Sequence, residues 1–327
     1  MKQRLLPMVI LAAAMTISVR AQDLSGIPAS FVDIGFGARA VSMGGAYTGL
    51  SNDAYAVLWN PAGMTAATTK EVAFSYTDHL GGMLQYQHLA AVIPIGVPSQ
   101  SVGIAAISSG DDALRELTIQ AAYARRFSIV SVGAAVKYRM ASFGDNVLSA
   151  SDYVVFSEEE IAEGLANQVS GSASGFGLDV GVMIHASEQA TFGIKLRDAV
   201  APLNWDSQSA NPDKQSRGSY NEALPMELAI GASYKALANT IVSLDYAPAI
   251  EDDAVDKIRG GLEMTFLDMV SLRGGMQHWV NAETTSRYSL GLGLHVPVGD
   301  SFVILANYSY LFETIEDAQH ISLAVQF

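Results

Sequence analysis

The stretch that decides the fold reads Val130-Ser131-Val132-Gly133-Ala134-Ala135-Val136-Lys137-Tyr138-Arg139-Met140. Its apolar residues stand at every second position, and small or charged residues fill the positions between them. A period of two is typical of a β-strand with one apolar and one polar face. Segments of about nine to twelve such residues are long enough for a tilted strand to cross a bilayer, whereas strands of soluble sandwiches commonly have about five or six.

The same alternation recurs from residue 70 to the end of the chain. It predicts about fourteen strands, near residues 70–78, 85–95, 101–108, 115–125, 129–141, 174–185, 189–197, 223–234, 239–247, 257–266, 269–278, 286–296, 302–310 and 319–327. Every second connection is short, and the connections between them are usually longer, above all near 142–173 and 198–222. This layout predicts an all-β fold, a transmembrane antiparallel β-barrel over residues 69–327, with short periplasmic turns and long extracellular loops.

The composition agrees with a barrel in the cell outer membrane. The chain has 327 residues, 33 of them acidic and 19 basic, and a formal net charge of −14. The loops predicted on the extracellular side hold 20 acidic residues but only two basic ones, Lys214 and Arg217; these loops are 109–114, 142–173, 198–222, 248–256, 279–285 and 311–318. An acidic chain is a poor partner for nucleic acid, because phosphate binding needs a basic face. The absence of cysteine excludes disulfides and thiolate metal sites. We therefore expect outer-membrane lipid, and no nucleic acid, as a partner.

The first 21 residues have the features of a secretory signal peptide. Lys2 and Arg4 precede an apolar stretch over residues 5–17, and a small residue, Ala21, ends the segment. We expect cleavage after Ala21, so that Gln22 is the first residue of the exported chain. The final strand ends in phenylalanine, which resembles the C-terminal signal of outer-membrane barrels. Both termini of the mature chain are then expected to be periplasmic.

Residues 22–68 do not alternate cleanly and are rich in glycine and alanine. They include Phe31-Val32-Asp33-Ile34-Gly35-Phe36-Gly37-Ala38-Arg39-Ala40-Val41-Ser42-Met43-Gly44-Gly45, followed by Ser51-Asn52-Asp53-Ala54-Tyr55 and Trp59-Asn60-Pro61-Ala62-Gly63-Met64. This segment resembles the N-terminal hatch of the FadL superfamily of outer-membrane barrels. Its Ala-Arg-Ala, Met-Gly, Asp-Ala and Trp-Asn-Pro-Ala motifs are similar to those of the PorV/PorQ branch, which is associated with type IX secretion.

The resemblance implies a fold and two alternative functions. The fold would be a barrel of fourteen strands with the hatch, residues 22–68, inside the lumen. The first function is an accessory role in protein secretion or in surface attachment of exported cargo, with secretion-system components and cargo as partners. The alternative is a FadL-like channel for uptake of a hydrophobic small molecule, which would use a shift of the hatch and a lateral opening. A purely structural barrel is a third reading.

The hatch motifs contain the first group of candidate site residues. These candidates for gating or ligand binding are Arg39, Asp53, Asn60, Pro61, Ala62 and Gly63. Asn60 can cap a short helix that begins at Pro61, since proline fits the first helical position. Arg39 lies among small residues and needs a carboxylate partner, for which Asp33 and Asp53 are the nearby candidates. The alternative is that these residues only shape the hatch and touch no ligand.

The polar faces of the predicted strands contain the second group. Their lumen charges are Lys137, Arg139, Asp179, Lys195, Arg197, Glu227, Asp245, Arg259, Glu263, Arg273 and Arg287, together with Glu71 and Glu116. Charges on the lipid face would each cost about 2–4 kcal/mol at mid-membrane, so we place them in the lumen. They could form cross-strand pairs that brace the wall and dock the hatch. Alternatively, they could make a polar lumen that binds an anionic headgroup or a peptide terminus.

Motifs for catalysis and for cofactors are weak in this sequence. It contains neither G-x-S-x-G nor H-E-x-x-H, and its six histidines lack metal-ligand spacing. Residues 35–40 match a relaxed dinucleotide fingerprint, but no βαβ unit follows them. The acidic cluster over residues 251–256 lacks EF-hand spacing, so a solvated loop is a better reading than a calcium site. We predict a protein that is not an enzyme and needs no cofactor.

Overall fold

The computed structural model describes residues 35–82, 84–96, 100–110, 113–144, 157, 159, 164, 168–209, 217–250, 255–280, 286–313 and 317–327. Two short α-helices, α1 (Ala38–Ser42) and α2 (Ala56–Trp59), are followed by a 3₁₀-helix over Pro61–Ala66. A second 3₁₀-helix, Leu80–Gly82, follows the first strand. Within these ranges no helix is long and apolar enough to cross a membrane.

Sixteen strands make up the rest of the described chain. They are β1 Glu71–His79, β2 Leu84–Pro94, β3 Gln100–Gly110, β4 Leu114–Phe127, β5 Val130–Phe143, β6 Val169–His185, β7 Ala190–Val200, β8 Pro202–Ser209, β9 Arg217–Ala223, β10 Glu227–Leu237, β11 Thr240–Ala247, β12 Lys257–Phe266, β13 Val270–Trp279, β14 Arg287–Val298, β15 Phe302–Phe312 and β16 Ala318–Gln326.

The strands form one closed antiparallel barrel. Neighbours along the chain pair from β1 to β7 and from β10 to β16, β7 pairs with β10, and β1 pairs with β16, so the sheet closes on itself. β8 pairs with residues 169–174 of β6, and β7 pairs with residues 178–185 of the same strand. β9 pairs with β8 and is followed along the chain by β10. Because β7 with β8 and β9 with β10 each form one interrupted strand, the barrel has fourteen strands. The sequence prediction of about fourteen strands is confirmed.

The longest predicted loops require a correction. The stretch 198–222, expected to be a loop, contains the hairpin of β8 and β9, and β6 begins at Val169 inside the predicted loop 142–173. The physical reason lies in the outward side chains of the hairpin, such as Asn204 and Asp206, which are polar. A strand that stands beyond the apolar band of a membrane needs no apolar outer face, so the periodic signal is lost there.

Side chains separate cleanly between the two faces of the wall. Large apolar residues on the outer face are exposed, for example Ile104 at 61% and Phe176 at 64%. Inward positions on the same strands hold small or polar residues, such as Ala105 and Asp179, which are buried. An exposed apolar outer face over a polar inner face is what a wall between lipid and lumen requires.

Residues 35–67, called here the luminal segment, lie inside the barrel. Side chains on opposite parts of the wall bond to it: Gln120 Nε2 donates to the Val57 carbonyl at 2.6 Å, and Ser233 Oγ donates to the Gly49 carbonyl at 3.0 Å. The backbone N–H of Gly44 donates to Ser289 Oγ at 3.2 Å. Residues 22–34 of the predicted hatch lie outside the described residues.

Inward-facing glycines let the luminal segment approach the wall backbone. A Cβ on any of these glycines would overlap atoms of the segment; they are Gly103, Gly133, Gly181, Gly193, Gly231, Gly261, Gly275 and Gly291. Gly44 in the segment makes the reciprocal approach with a φ of 66°, and a Cβ there would meet the backbone of Met276. Because glycine has no side chain, these positions leave room for the backbone of the luminal segment to pack directly on the wall.

Two adjacent glycines of β13 provide a test of this fit. A Cβ on Gly275 would overlap Gly44, whereas a Cβ on Gly274 faces outward and meets no atom nearer than 3.8 Å. We expect Gly275→Val to displace the luminal segment at a cost of about 1–3 kcal/mol, because overpacking forces its backbone to move. The variant should raise single-channel conductance in planar bilayers and keep heat-modifiable gel mobility. Gly274→Val is the control, and equal conductance of the two variants would contradict the described fit.

Candidate functional site

The site consists of buried charges where the luminal segment meets the wall. Arg39 of α1 donates from Nε to Glu263 Oε2 at 2.8 Å and from Nη2 to Glu263 Oε1 at 2.9 Å. Arg273 of β13 contacts the same carboxylate, with Nε 2.5 Å from Oε2. Glu263 thus joins the luminal segment to β12 and β13 through a bidentate pair, the strongest geometry that arginine offers.

The remaining donors of Arg39 stay within the luminal segment. Its Nη1 donates to Asn52 Oδ1 at 2.7 Å and to the Tyr47 hydroxyl at 3.0 Å, and the Tyr47 hydroxyl donates to Asp53. Burial raises the pKa of Tyr47 well above its ordinary value, so this hydroxyl remains a donor. Asp53 lies 3.6 Å from Arg39 Nη1. The expected partner Asp53 is therefore secondary to Glu263, and Asp33 lies outside the described residues.

A second carboxylate binds the backbone of the luminal segment directly. Asp245 of β11 accepts the backbone N–H groups of Tyr47 at 3.0 Å and of Thr48 at 2.8 Å. The side chain is almost fully buried, at 1% exposure. Two N–H groups converging on one carboxylate oxygen satisfy an acceptor that would otherwise be costly to bury.

A third cluster lies beside Trp59 and centres on Glu227 of β10. Three cations surround this carboxylate: Lys195 Nζ at 3.0 Å, Arg197 Nη2 at 3.0 Å and Arg259 Nη2 at 3.3 Å. Lys195 Nζ also lies 5.0 Å from the centre of the Trp59 ring, a cation–π contact. The cluster therefore carries more positive than negative charge where it meets the luminal segment.

The fourth cluster lies at a bulge in the pairing of β7 with β6, called here the break in β7. Asp198 of β7 has a φ of 56°, a left-handed conformation that is uncommon for a residue other than glycine. Two extra residues of β7 bulge here, since Leu178 pairs with Val200 but Val180 pairs with Leu196. Strain of this kind persists only where surrounding contacts impose it.

Four polar contacts hold the break in place. Asp198 accepts Lys137 Nζ at 2.9 Å and Arg139 Nη2 at 2.7 Å, and its backbone N–H donates to Asp179 Oδ1 at 2.9 Å. Lys137 Nζ lies 2.7 Å from the same Asp179 oxygen. The predicted lumen charges of β5 and β6 thus fix the conformation of β7. The alternation predicts a loop at Asp198, and no local signal in the sequence marks its role.

Asn60 forms the predicted cap and two further contacts. Its Oδ1 accepts the N–H of Ala62 at 3.2 Å at the start of the 3₁₀-helix, where Pro61 is the first residue. Its Nδ2 donates to the Thr48 carbonyl at 2.8 Å, and a Cβ on Gly181 of β6 would overlap Oδ1. Asn60 is therefore a fixed point that ties two parts of the luminal segment together against the wall.

The other members of the Asn-Pro-Ala-Gly motif are buried by close packing. Gly63 lies against Ser51, with no room for a Cβ, and Ala62 and Pro61 are buried beside Gly133 of β5. None of the three has a side-chain polar group that could bind a ligand. Their described contacts are those of residues that set the shape of the segment.

Two hollows remain between the luminal segment and the wall. The first is a cavity of about 10 Å³, room for about one water molecule, and its lining contains Phe36, Leu58, Ile107, Thr118, Lys137 and Arg139. The second has a volume of about 30 Å³, and its lining contains Val41, Trp59, Arg197, Arg259, Arg287 and Leu311. The first lies beside the two cations that hold Asp198, so an apolar hollow adjoins the break in β7.

Arg287, a predicted lumen charge, is the first residue of β14 and pairs with Glu313, which follows the last residue of β15. Its Nε lies 2.8 Å from Glu313 Oε2, and its guanidinium stands 4.7 Å from the centre of the Trp279 ring. The alternation predicts a loop at Glu313. Like Asp198, Glu313 is therefore an ion-pair partner that the sequence does not indicate. In the part of the chain that is described, no group of three or more metal-ligating side chains occurs. Residues 251–254 of the acidic cluster lie outside that part.

Comparison with solved structures identifies the fold. The chain resembles the CymD monoaromatic hydrocarbon channel with a TM-score of 0.59 and 14% identity, over 90% of this chain and 97% of that one. It resembles the Ralstonia pickettii toluene transporter TbuX with a TM-score of 0.60 and 14% identity, over 90% and 98%. A Pseudomonas aeruginosa FadL homologue matches with a TM-score of 0.57 and 14% identity, over 88% and 97%.

These likenesses show the fold, a closed antiparallel β-barrel similar to that of the FadL homologue and of the two hydrocarbon channels. No protein-family model matches the chain, and no curated protein matches it in sequence. The three neighbours are described as a channel, a transporter and a FadL homologue. None of the three is described as a PorV/PorQ-type protein, so that part of the resemblance stays a prediction.

The shared carboxylate of Glu263 provides a stability test. Glu263→Gln would leave the guanidinium groups of Arg39 and Arg273 buried without their anion. We expect a loss of about 3–5 kcal/mol in the free energy of unfolding, because breaking a buried ion pair strands the remaining charge. Urea unfolding of the protein in lipid vesicles measures this difference. Glu188→Gln, in an exposed short turn, is the control and should change stability by less than about 0.5 kcal/mol. Equal stability of the two variants would show that Glu263 is not an anchor.

Proposed function

We propose that this protein is an outer-membrane channel for a hydrophobic small molecule. The observation that carries the proposal is the apolar hollow beside the break in β7. Phe36, Leu58 and Ile107 line this hollow, and Lys137 and Arg139 border it and bind Asp198 at the break. The accessible surface of the hollow is mostly apolar, as in small-molecule sites, and the hollow would admit a solute once the luminal segment shifts.

The fold supports the same proposal. Two of the neighbours are described as a channel for monoaromatic hydrocarbons and a toluene transporter. By analogy, a hydrophobic solute would enter from the end of the barrel with the long loops, which we place outside the cell. The solute would pass the first hollow and leave past the bulge of β7 once the luminal segment shifts. The termini, at the short-turn end, would then be periplasmic.

A role in secretion remains a second candidate because of one specific feature. The motifs around Arg39 and Trp59-Asn60-Pro61-Ala62 are similar to the PorV/PorQ branch. In that role the luminal segment would receive or help to attach exported cargo, with secretion-system components as partners. The comparisons support the channel better, because the neighbours described by function are hydrocarbon channels and transporters.

A change of side-chain size in the first hollow tests the channel. Ile107 is buried and lines the hollow, whereas Ile104 on the same strand is 61% exposed on the outer face. In a host that lacks its own hydrocarbon channel, we expect the wild type to speed uptake of radiolabelled toluene. Ile107→Trp should reduce that uptake several-fold because the ring fills the hollow, and Ile104→Trp should not. No gain over the empty host, or equal uptake by the two variants, would contradict the channel proposal.

A second variant separates the two candidate functions. Asn60→Ala removes the helix cap and the bond to the Thr48 carbonyl, a loss of about 1 kcal/mol for the cap. Such a loss is too small to open a barrel of fourteen strands, so assembly and heat-modifiable mobility should persist. If transport is correct, toluene uptake changes; if secretion is correct, surface-attached cargo is lost instead. Asn239→Ala, in a short turn, is the control. A normal phenotype in both assays would remove Asn60 from the functional residues.

A further inference from the structure

The charged groups that line the second hollow all have the same sign. The lining contains the guanidinium groups of Arg197, Arg259 and Arg287 and the side-chain amide of Gln277. Among the residues that the structure describes, no aspartate or glutamate belongs to this lining. A cavity lined by charges of one sign concentrates its electric field and attracts the opposite sign. The hollow therefore favours an anion.

The register of the sheet places the amide between two guanidinium groups. Arg259 of β12 is directly opposite Gln277 of β13, and Gln277 is directly opposite Arg287 of β14. Side chains that are directly opposite each other on one face of an antiparallel sheet are close enough to interact. The three side chains therefore form one row of hydrogen-bond donors on the inner face of the wall.

The amide of Gln277 has a fixed orientation and an unused donor. Its Oε1 accepts Arg259 Nε at 3.2 Å. The swapped orientation would set an NH₂ group against a guanidinium, which can only donate. Gln277 is 7% exposed, and its buried Nε2 has no hydrogen-bond partner among the described residues. A buried donor without an acceptor is unfavourable, so this position favours a ligand that accepts hydrogen bonds.

The wall beside the hollow has one cation more than it has carboxylates. Lys195, Arg197 and Arg259 surround Glu227, and all three cations are buried. The second carboxylate of this group is Asp245, which is directly opposite Arg259 in the sheet. Three positive charges therefore face two negative ones. An excess charge that is buried without a counterion is costly.

The neighbouring charged groups do not supply the missing negative charge. Arg287 is paired with Glu313, one charge of each sign. The two guanidinium groups at Glu263 have Asp53 as their second carboxylate, 3.6 Å from Arg39. Because both groups are balanced, one monovalent anion would neutralise the excess at the second hollow.

The size and position of the hollow limit the kind of anion. Its volume is about 30 Å³. One water molecule needs about 10–15 Å³, so the hollow has room for about two waters or for one ion of similar size to chloride. Gly44 and Gly45 of the luminal segment also line it, together with Leu311 near the end of β15. An ion there would contact both the segment and the wall.

We propose that the second hollow binds one small monovalent anion, of the size of chloride, between Gln277 Nε2 and the guanidinium groups of Arg259 and Arg287. The anion neutralises the excess positive charge and helps to hold the luminal segment against β12–β14. This site goes beyond solute transport and does not depend on it, because its ligand is a free inorganic ion.

Bromide is the probe for a direct test, because it resembles chloride and scatters anomalously. The full-length protein is crystallised in sodium bromide, and diffraction is recorded at the bromine absorption edge. We expect an anomalous peak in the second hollow, within hydrogen-bond distance of Gln277 Nε2. A crystal without a bromide peak in this hollow would overturn the proposal.

Urea unfolding in lipid vesicles tests the same site in solution. Sodium chloride replaces sodium gluconate, whose anion is too large for the hollow, in steps at constant ionic strength. The urea midpoint should rise with chloride and level off as the site fills, because a ligand that binds only the folded state stabilises it. A midpoint that does not respond to chloride would contradict the proposal.

Matched variants separate this site from general effects of salt. Gln277→Glu places a carboxylate in the hollow, so the chloride concentration at half-maximal effect should rise by about tenfold or more, and the bromide peak should disappear. Gln277→Leu removes the donor without adding charge and should also weaken the response, which keeps the test valid if the glutamate variant loses heat-modifiable mobility. Gln189→Glu, in an exposed short turn, is the control and should respond as the wild type does. Wild-type responses from both Gln277 variants would overturn the proposal.

Discussion

A buried charge inside this barrel must have a partner, and that constraint fixes the luminal segment. Glu263 belongs to the wall, yet one of its two guanidinium partners, Arg39, belongs to the segment. Asp245 likewise belongs to the wall and accepts two backbone N–H groups of the segment. Removing the segment would take one guanidinium partner from Glu263 and both N–H donors from Asp245, and water would have to replace them. The wall and the luminal segment therefore complete each other's polar contacts and form a single structural unit.

The same constraint explains how β7 keeps an unfavourable backbone conformation. A left-handed backbone conformation is unfavourable for aspartate. At Asp198 it is offset by hydrogen bonds from Lys137 and Arg139 to the carboxylate and by the bond from its backbone N–H to Asp179. Lys137 and Arg139 also border the apolar hollow. In the proposed channel, a solute that enters the hollow would therefore lie against the groups that hold Asp198. This shared border is the physical reason to connect the hollow with an exit through the wall.

The sequence predicted the barrel well because its signal is periodic and local. Each membrane-crossing strand needs an apolar outer face, so a period of two appears wherever lipid is the neighbour. The hairpin of β8 and β9 was missed because it stands where that requirement ends. The Asn60 cap was predictable, since the donor and acceptor are two residues apart in sequence. The partner of Arg39 was not, because Glu263 is 224 residues away and only the closure of the barrel brings the two together. The left-handed conformation of Asp198 has no local signature either.

The distribution of contacts indicates which side of the luminal segment can give way. Most of its charged anchors lie toward β10–β13, where Asp245, Glu263 and the Glu227 cluster are found. A further anchor, Glu71 of β1, accepts the backbone N–H of Ala54 at 3.0 Å. Toward β3–β5 the contacts are apolar packing and neutral hydrogen bonds, such as that of Gln120 with the Val57 carbonyl. Sliding apolar surfaces past one another costs less than separating buried ions, which would leave bare charges behind. The first hollow lies on this weaker side. A shift of the segment that pivots on its charged anchors would therefore enlarge the first hollow while the ion pairs stay intact.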